Sequence, residues 1–272
     1  MILSYIKKLF SITPSLYVAY DNKNKGHTVV FLHGIASTSG TWKPVLPLLP
    51  SDYRIVTIDL LGFAKSPKPK SISYNVNDHA KAVRKTIKKL KISKPYTLVG
   101  HSMGALISVE IAKQSSKAIN HLILVNAPIY NSEDLNKQSK DYKNKKQNMT
   151  NILFYIYERL IEKQNLTLKA VKNIIKVKPA NLPIELDNST WYSFKMSLDK
   201  TIMQQNTISD IKKLRVPITF IYGSLDPVIV VDNYNKIARE NPNVKILKTT
   251  AMHNVNKTIA KKIAFALQSH LK

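Results

Sequence analysis

An α/β architecture, a mostly parallel central sheet with helices on both faces plus a helical insertion, is predicted by three observations. Short apolar runs of strand length alternate with amphipathic patterns through most of the 272 residues, the arrangement expected of a parallel sheet buried between two helical layers. Four of only seven glycines, Gly34, Gly62, Gly100 and Gly223, close such runs, where the functional loops of open α/β sheets lie. The alternation then breaks between about Pro128 and Asn206, where polar loop and helical patterns replace strand runs.

Taken in order, the expected strands are Leu16–Tyr20, Thr28–Leu32, Arg54–Ile58, Tyr96–Val99, His121–Val125, Ile218–Tyr222 and Val244–Leu247. Each is short and apolar and is bounded by turn formers or by a helical pattern. Helices are expected at Asn77–Leu90, Met103–Lys113, Val231–Glu240 and Lys257–Leu267, and within the insertion at Asn151–Lys163, Leu166–Ile175 and Thr190–Gln204. The chain therefore divides into a core, residues 1–128 and 206–272, and a helical insertion, residues 129–205. No internal repeat is present.

The stretch Tyr96 to Ala105 sets Gly100-His101-Ser102-Met103-Gly104 between an apolar run and a helical pattern. Chance alone would supply such a Gly-x-Ser-x-Gly roughly 0.01 times in a chain of this composition. A sharp strand-to-helix turn forces the central serine into strained geometry, and only small residues two positions to either side avoid the neighbouring backbone. Ser102 is thus a candidate nucleophile.

Four further segments accompany it: His33-Gly34-Ile35, Asp59-Leu60-Leu61-Gly62-Phe63, Tyr222-Gly223-Ser224-Leu225-Asp226-Pro227 and Met252-His253-Asn254. With these five pieces in this order, the chain resembles an α/β-hydrolase of the single-domain, capped type over nearly its whole length. The resemblance implies that residues 129–205 form a cap over the mouth of the active site, and that Ser102, Asp226 and His253 form a triad in the chain order of that family. A serine hydroxyl is a weak nucleophile until an imidazole accepts its proton, and the imidazole needs a carboxylate to fix its tautomer. Asp226 and His253 each follow a late strand, so both can project from the sheet edge that carries Ser102. The family's other acid position is occupied by Asn126, which favours Asp226. Backbone N–H groups of Ile35 and Met103 are the expected oxyanion donors. His33 and Asp59 are expected to order loops, and His101 to point away from the nucleophile.

Neither metal nor cofactor is expected: the histidines are scattered, cysteine is absent, and there is no His-Glu-x-x-His or Gly-rich phosphate loop. Serine at the elbow, where relatives acting on epoxides or haloalkanes carry aspartate, argues against those reactions. The net charge of +25 is read as a lysine-biased, solvated surface in preference to a polyanion site, because no aromatic residue is interleaved among the cations of Lys81 to Lys94 and no nucleic-acid motif appears. Peripheral contact with an anionic membrane stays open, given the amphipathic segment Met1 to Phe10. That segment lacks the order of a signal peptide and is expected to be retained; no run reaches the ~18 apolar residues of a bilayer span, so a cytoplasmic location is expected.

The expected activity is hydrolysis of small to medium apolar carboxylic esters through an acyl-enzyme. Carbon–carbon bond, amide and lipid-ester hydrolysis on the same triad stay open, with Arg159 the one arginine available in the cap to hold a substrate carboxylate. A non-catalytic ligand-binding protein and a charge-driven scaffold are the readings from other classes.

Overall fold

The computed structural model describes residues 13–131, 152–162, 164, 166–177 and 185–270. Its strands are β1 (Val18–Asp21), β2 (Thr28–Leu32), β3 (Arg54–Ile58), β4 (Tyr96–His101), β5 (Ile119–Val125), β6 (Ile218–Gly223) and β7 (Val244–Thr249). They form one sheet in the order β1-β3-β2-β4-β5-β6-β7. β1 is antiparallel to β3, and the remaining pairs are parallel. This is the sheet expected from the alternating runs.

Side chains leave the two faces with a period of two, and both faces are buried. Val30, Leu32, Leu98, Leu122 and Leu124 join the apolar layer under α1 (Val76–Lys89) and α2 (Met103–Gln114). Val29, Phe31, Val99, Ile123 and Ile221 face the opposite way, against Ile259, Ile263 and Leu267 of α8 (Lys257–His270). α1 starts where Asn75 Oδ1 accepts from the Asp78 N–H at 2.9 Å, an N-cap that the short amide side chain suits.

Between β5 and β6 lie α3 (Ile152–Tyr157), which runs into a π-helical turn at Glu158–Glu162, then α4 (Leu168–Val177) and α5 (Trp191–Ser197). α5 continues as a π-helix over Leu198–Met203, and α6 (Thr207–Lys213) leads back to the sheet. The single pattern expected at Thr190–Gln204 is therefore two helix types in series, and α6 is additional to the expected set. α7 (Val231–Glu240) and α8 match the expected late helices. The segment Met1 to Phe10 and parts of the 129–205 insertion lie outside the described residues.

The first strand begins later than expected. Leu16 and Tyr17 were expected within it, but their N–H groups donate to Thr86 Oγ1 at 2.8 Å and Ser66 Oγ at 2.9 Å. The strand begins at Val18 and carries an irregularity between Val18 and Tyr20. Side-chain acceptors brought in from distant segments took the place of the ladder.

The strand order positions the site. β2 pairs with both β3 and β4, so the connections leaving β2 and β4 turn to opposite sides, which opens a crevice at the carboxyl ends of those two strands. Leu32 lies opposite Gly100 in the register of that pair, so the segments His33–Ile35 and His101–Met103 emerge side by side.

Candidate active site

Ser102 occupies the turn from β4 into α2 with φ 52° and ψ −122°. For a residue bearing a Cβ this is strained backbone, held only because the surroundings over-determine it. A Cβ on Gly100 would collide with the Gly104 carbonyl, and one on Gly104 with the carbonyls of Leu32 and His33. The two glycines thus let strand, helix and β2 approach at the turn. The Ser102 N–H donates to Val125 O at 2.9 Å, which ties the turn to β5. Ser102 is 2 % exposed.

His253 lies in the loop between β7 and α8, and Asp226 in the loop after β6. His253 Nδ1 donates to Asp226 Oδ2 at 2.7 Å, and both residues are buried. The other carboxylate oxygen, Oδ1, accepts from the Val228 N–H at 2.8 Å. With Nδ1 committed as a donor, neutral His253 carries its lone pair on Nε2, the atom a general base needs free. Among the described residues no hydrogen bond joins Ser102 Oγ to His253 Nε2; such bonds often tighten only around substrate.

Two side chains that bear on His253 carried no expected role in holding it. His101 Nε2 donates to the His253 carbonyl at 2.7 Å, and the two rings lie 4.9 Å apart. Asn126 Nδ2 donates to the same carbonyl at 2.9 Å, while its Oδ1 accepts from the Gly223 N–H at 2.9 Å. Asn126 has φ 46° and is fully buried. It therefore joins the end of β6, which leads to Asp226, to the loop that carries His253. Burial pushes His101 down to about 3, with nearby His253 a smaller cause in the same direction, so the ring is neutral and its Nε2 keeps its proton. His101 turns toward the loop that carries His253.

The loop after β2 is ordered by His33. Its Nδ1 donates to Gly34 O at 2.7 Å, and its Nε2 accepts from the Leu60 N–H at 2.9 Å. These two bonds need opposite roles at the two nitrogens, so the tautomer is fixed and the ring is neutral; burial lowers it to about 4. A Cβ on Gly34 would stand 3.1 Å from Ser102 Cβ and 3.6 Å from its Oγ, so the loop passes directly over the serine. Among the described residues, neither the Ile35 nor the Met103 N–H has a protein acceptor; for Met103 this follows from its place in the first turn of α2. Asp59 accepts from Ser39 N–H and Oγ at 2.9 and 2.7 Å, and from the Lys65 N–H at 3.2 Å. It orders the loop before Gly62, as expected.

The helices between β5 and β6 meet this edge at Gly62. Ser193 Oγ donates to Gly62 O at 2.6 Å, and Thr201 Oγ1 to Tyr74 O at 2.7 Å. Gly62 has φ +86°, and a Cβ there would collide with Ser193 and Tyr74. Of the aromatic side chains, Trp42 is buried 5.0 Å from Phe31 and serves packing. Trp191 and Phe194 stack at 5.9 Å, and Tyr192 meets Tyr74 edge-on at 6.0 Å. The Arg159 guanidinium lies over the Tyr155 ring at 5.7 Å. The side chain of Phe154 lies outside the described residues. Among the described residues no three His, Asp or Glu side chains are grouped to hold a metal ion, and no helix is long and apolar enough to cross a membrane.

The comparisons with known proteins bear on the family. A family model described as alpha/beta hydrolase fold matches residues 27–255. The chain is similar to probable lysophospholipase BODYGUARD 2 of Arabidopsis thaliana, 35 % identical over 40 % of this chain and 24 % of that one. It is also similar to BODYGUARD 3, another probable lysophospholipase of that plant, 24 % identical over 88 % of this chain and 54 % of that one. It thus spans from about a quarter to about half the length of these relatives. A 2-hydroxy-6-oxo-6-(2'-aminophenyl)hexa-2,4-dienoic acid hydrolase of Metapseudomonas resinovorans is 31 % identical over 39 % of this chain and 37 % of that one. Among solved structures, the enol-lactonase of Burkholderia xenovorans superposes with a TM-score of 0.66 at 17 % identity, covering 94 % of this chain and 95 % of that one. With the sheet order, the strained serine turn and a family match over most of its length, the chain belongs to the alpha/beta hydrolase fold family.

Proposed function

We propose that this protein is a serine hydrolase of carboxylic esters, with Ser102 as nucleophile, His253 as general base and acid, and Asp226 as the carboxylate that orients and steadies His253. The observation that carries the reading is the 2.7 Å bond from His253 Nδ1 to Asp226, in a loop hydrogen-bonded to the residue preceding a serine with φ 52°. Ser102 Oγ adds to the ester carbonyl carbon as its proton passes to His253 Nε2. The N–H groups of Ile35 and Met103 receive the oxyanion, an interaction whose loss costs about 3 kcal/mol in other serine hydrolases. The tetrahedral adduct collapses with cleavage of the carbon–oxygen bond, and His253 returns its proton to the departing alkoxide. Water then gives a proton to Nε2 and adds to the acyl carbon. Collapse releases the acid and restores the Ser102 hydroxyl.

Residues 129–205 act in this reading as the cap, and lysophospholipids are the first esters to try, because several relatives carry that name. Carbon–carbon bond hydrolysis is the second reading, favoured by the relative from Metapseudomonas. The test is labelling with a fluorophosphonate followed by peptide mapping. A single adduct on Ser102 is expected, together with a fall of about 10⁶-fold in ester turnover for Ser102→Ala and for His253→Ala. Ester turnover that survives either substitution would overturn the mechanism, and turnover of a vinylogous diketone acid without ester turnover would favour the second reading.

A further inference from the structure

Apart from the serine turn, a cavity of about 340 Å³ lies between the segment after β3 and the start of α5, lined among others by Lys68, Lys70, Lys195, Trp191, Tyr192 and Ser189. No carboxylate lines it. The nearest in the chain, Asp187, is taken up by Ser189 Oγ at 2.7 Å and the Thr190 N–H at 2.9 Å. Among the described residues none of the three lysines is ion-paired, although Lys113, Lys200 and Lys212 each find a carboxylate elsewhere. Three lysines line one concavity with no carboxylate among them, and an anion bound there is attracted to all three.

The lysines are also held. Lys68 Nζ donates to Ala64 O at 2.5 Å and Ser66 O at 3.2 Å, which uses two of its three N–H bonds and leaves one. Lys195 Nζ lies over the Trp191 ring at 5.7 Å. Point-charge ammonium groups with a hydroxyl nearby suit a phosphate. At about 340 Å³ the cavity is at the small end of ligand sites, ~300–1,000 Å³, and so accommodates a head group with its neighbouring carbons.

Hydrogen bonds tie the cavity lining to the segment beside the serine site. Ser193 Oγ holds Gly62 O, and two residues earlier the Leu60 N–H is held by His33, which leads into the Gly34 segment above Ser102. We propose that the cavity is the subsite for the phosphate of an amphiphilic ester substrate whose acyl group is delivered to Ser102. The inference rests on the serine-hydrolase reading above.

Two soluble esters of equal chain length test it: 1-hexanoylglycerol 3-phosphate and 1-hexanoylglycerol. The wild-type KM is expected to be about tenfold lower for the phosphate ester, with inorganic phosphate competing against it. In Lys70→Ala/Lys195→Ala, and separately in Lys68→Met, the ratio of the two KM values should collapse toward one. Lys88→Ala/Lys89→Ala, on an exposed face of α1, should leave that ratio as it is. Equal wild-type KM values, or the same loss from the α1 variant, would assign any preference to the general positive field and overturn the proposal. Phosphate that alters hydrolysis of the neutral ester without competing would make the cavity a regulatory ion site, which also overturns it. If neither ester turns over and Ser102 takes no fluorophosphonate, the hydrolase reading has failed. Calorimetry with glycerol 3-phosphate then decides the cavity: binding abolished by Lys70→Ala/Lys195→Ala supports it, and no binding overturns it.

Discussion

The carboxyl edge of the sheet and the helices that follow β5 meet at Gly62, yet different forces hold them. Along the edge, buried polar side chains pair with backbone groups of other segments: Asn126 with Gly223 and His253, His33 with Gly34 and Leu60, Asp59 with Ser39 and Lys65. Across the contact with α5, hydrogen bonds from Ser193 to Gly62 O and between His79 Nε2 and Ser197 Oγ are joined by the edge-on packing of Tyr192 on Tyr74, while His79 Nδ1 is buried without a hydrogen-bond partner among the described residues. Directional bonds fix angles at the serine turn. Packed rings tolerate small shifts.

The largest expected effect breaks the edge. Asn126→Ala removes two donors and an acceptor at once, and the buried groups left unpaired cost about 1–3 kcal/mol each. A fall in kcat of about 100-fold with KM little changed is expected from steady-state kinetics. Asn126→Asp keeps the acceptor for the Gly223 N–H but turns a carboxylate toward two carbonyls, so it should not rescue the rate; a rescue would show that the donors to Met252 and His253 do nothing for the histidine.

A smaller effect is expected on the other side of the comparison. Gly62→Ala places a methyl group against Ser193 and Tyr74 at φ +86°, strain of about 1–3 kcal/mol. Relief by displacement of α5 should raise KM and lower the urea midpoint while kcat stays within about threefold. A fall in kcat as large as that of Asn126→Ala would show that edge and helices are one unit.

The gentlest probe is pH. Burial holds His33 at about 4 and His79 and His101 at about 3, all below the ordinary 6.5. The unfolded chain therefore binds more protons than the folded one below pH 6.5, and stability falls as pH is lowered. Each group contributes up to ~1.4 kcal/mol per pH unit, a loss that levels off below about pH 4 for His33 and about pH 3 for the other two. Urea titrations at pH 7 and pH 5 measure it, and His79→Gln, which acts at the α5 contact, should reduce the difference.

Much of this was legible in the chain. Alternating runs give the sheet because strand burial is written in local periodicity, and the Gly100 and Gly104 spacing marks the serine turn because only small residues fit there. The role of Asn126 was not legible. As a residue type it reads as a vacant acid position, and its donors act on Met252 and His253, which lie far along the chain. Leu16 and Tyr17 were misread because their partners, Thr86 and Ser66, also arrive from distant segments. The change from α to π geometry after Ser197 leaves the amphipathic pattern almost intact, so periodicity alone does not report it.

The bond from the Gly223 amide to Asn126 Oδ1 has one more consequence. Most protected amides in a sheet exchange with deuterium only when the ladder opens, but this one is covered by a side chain that also grips the histidine loop. Its exchange rate is therefore a gauge of whether the loop is seated, readable in the resting protein with no substrate and no turnover.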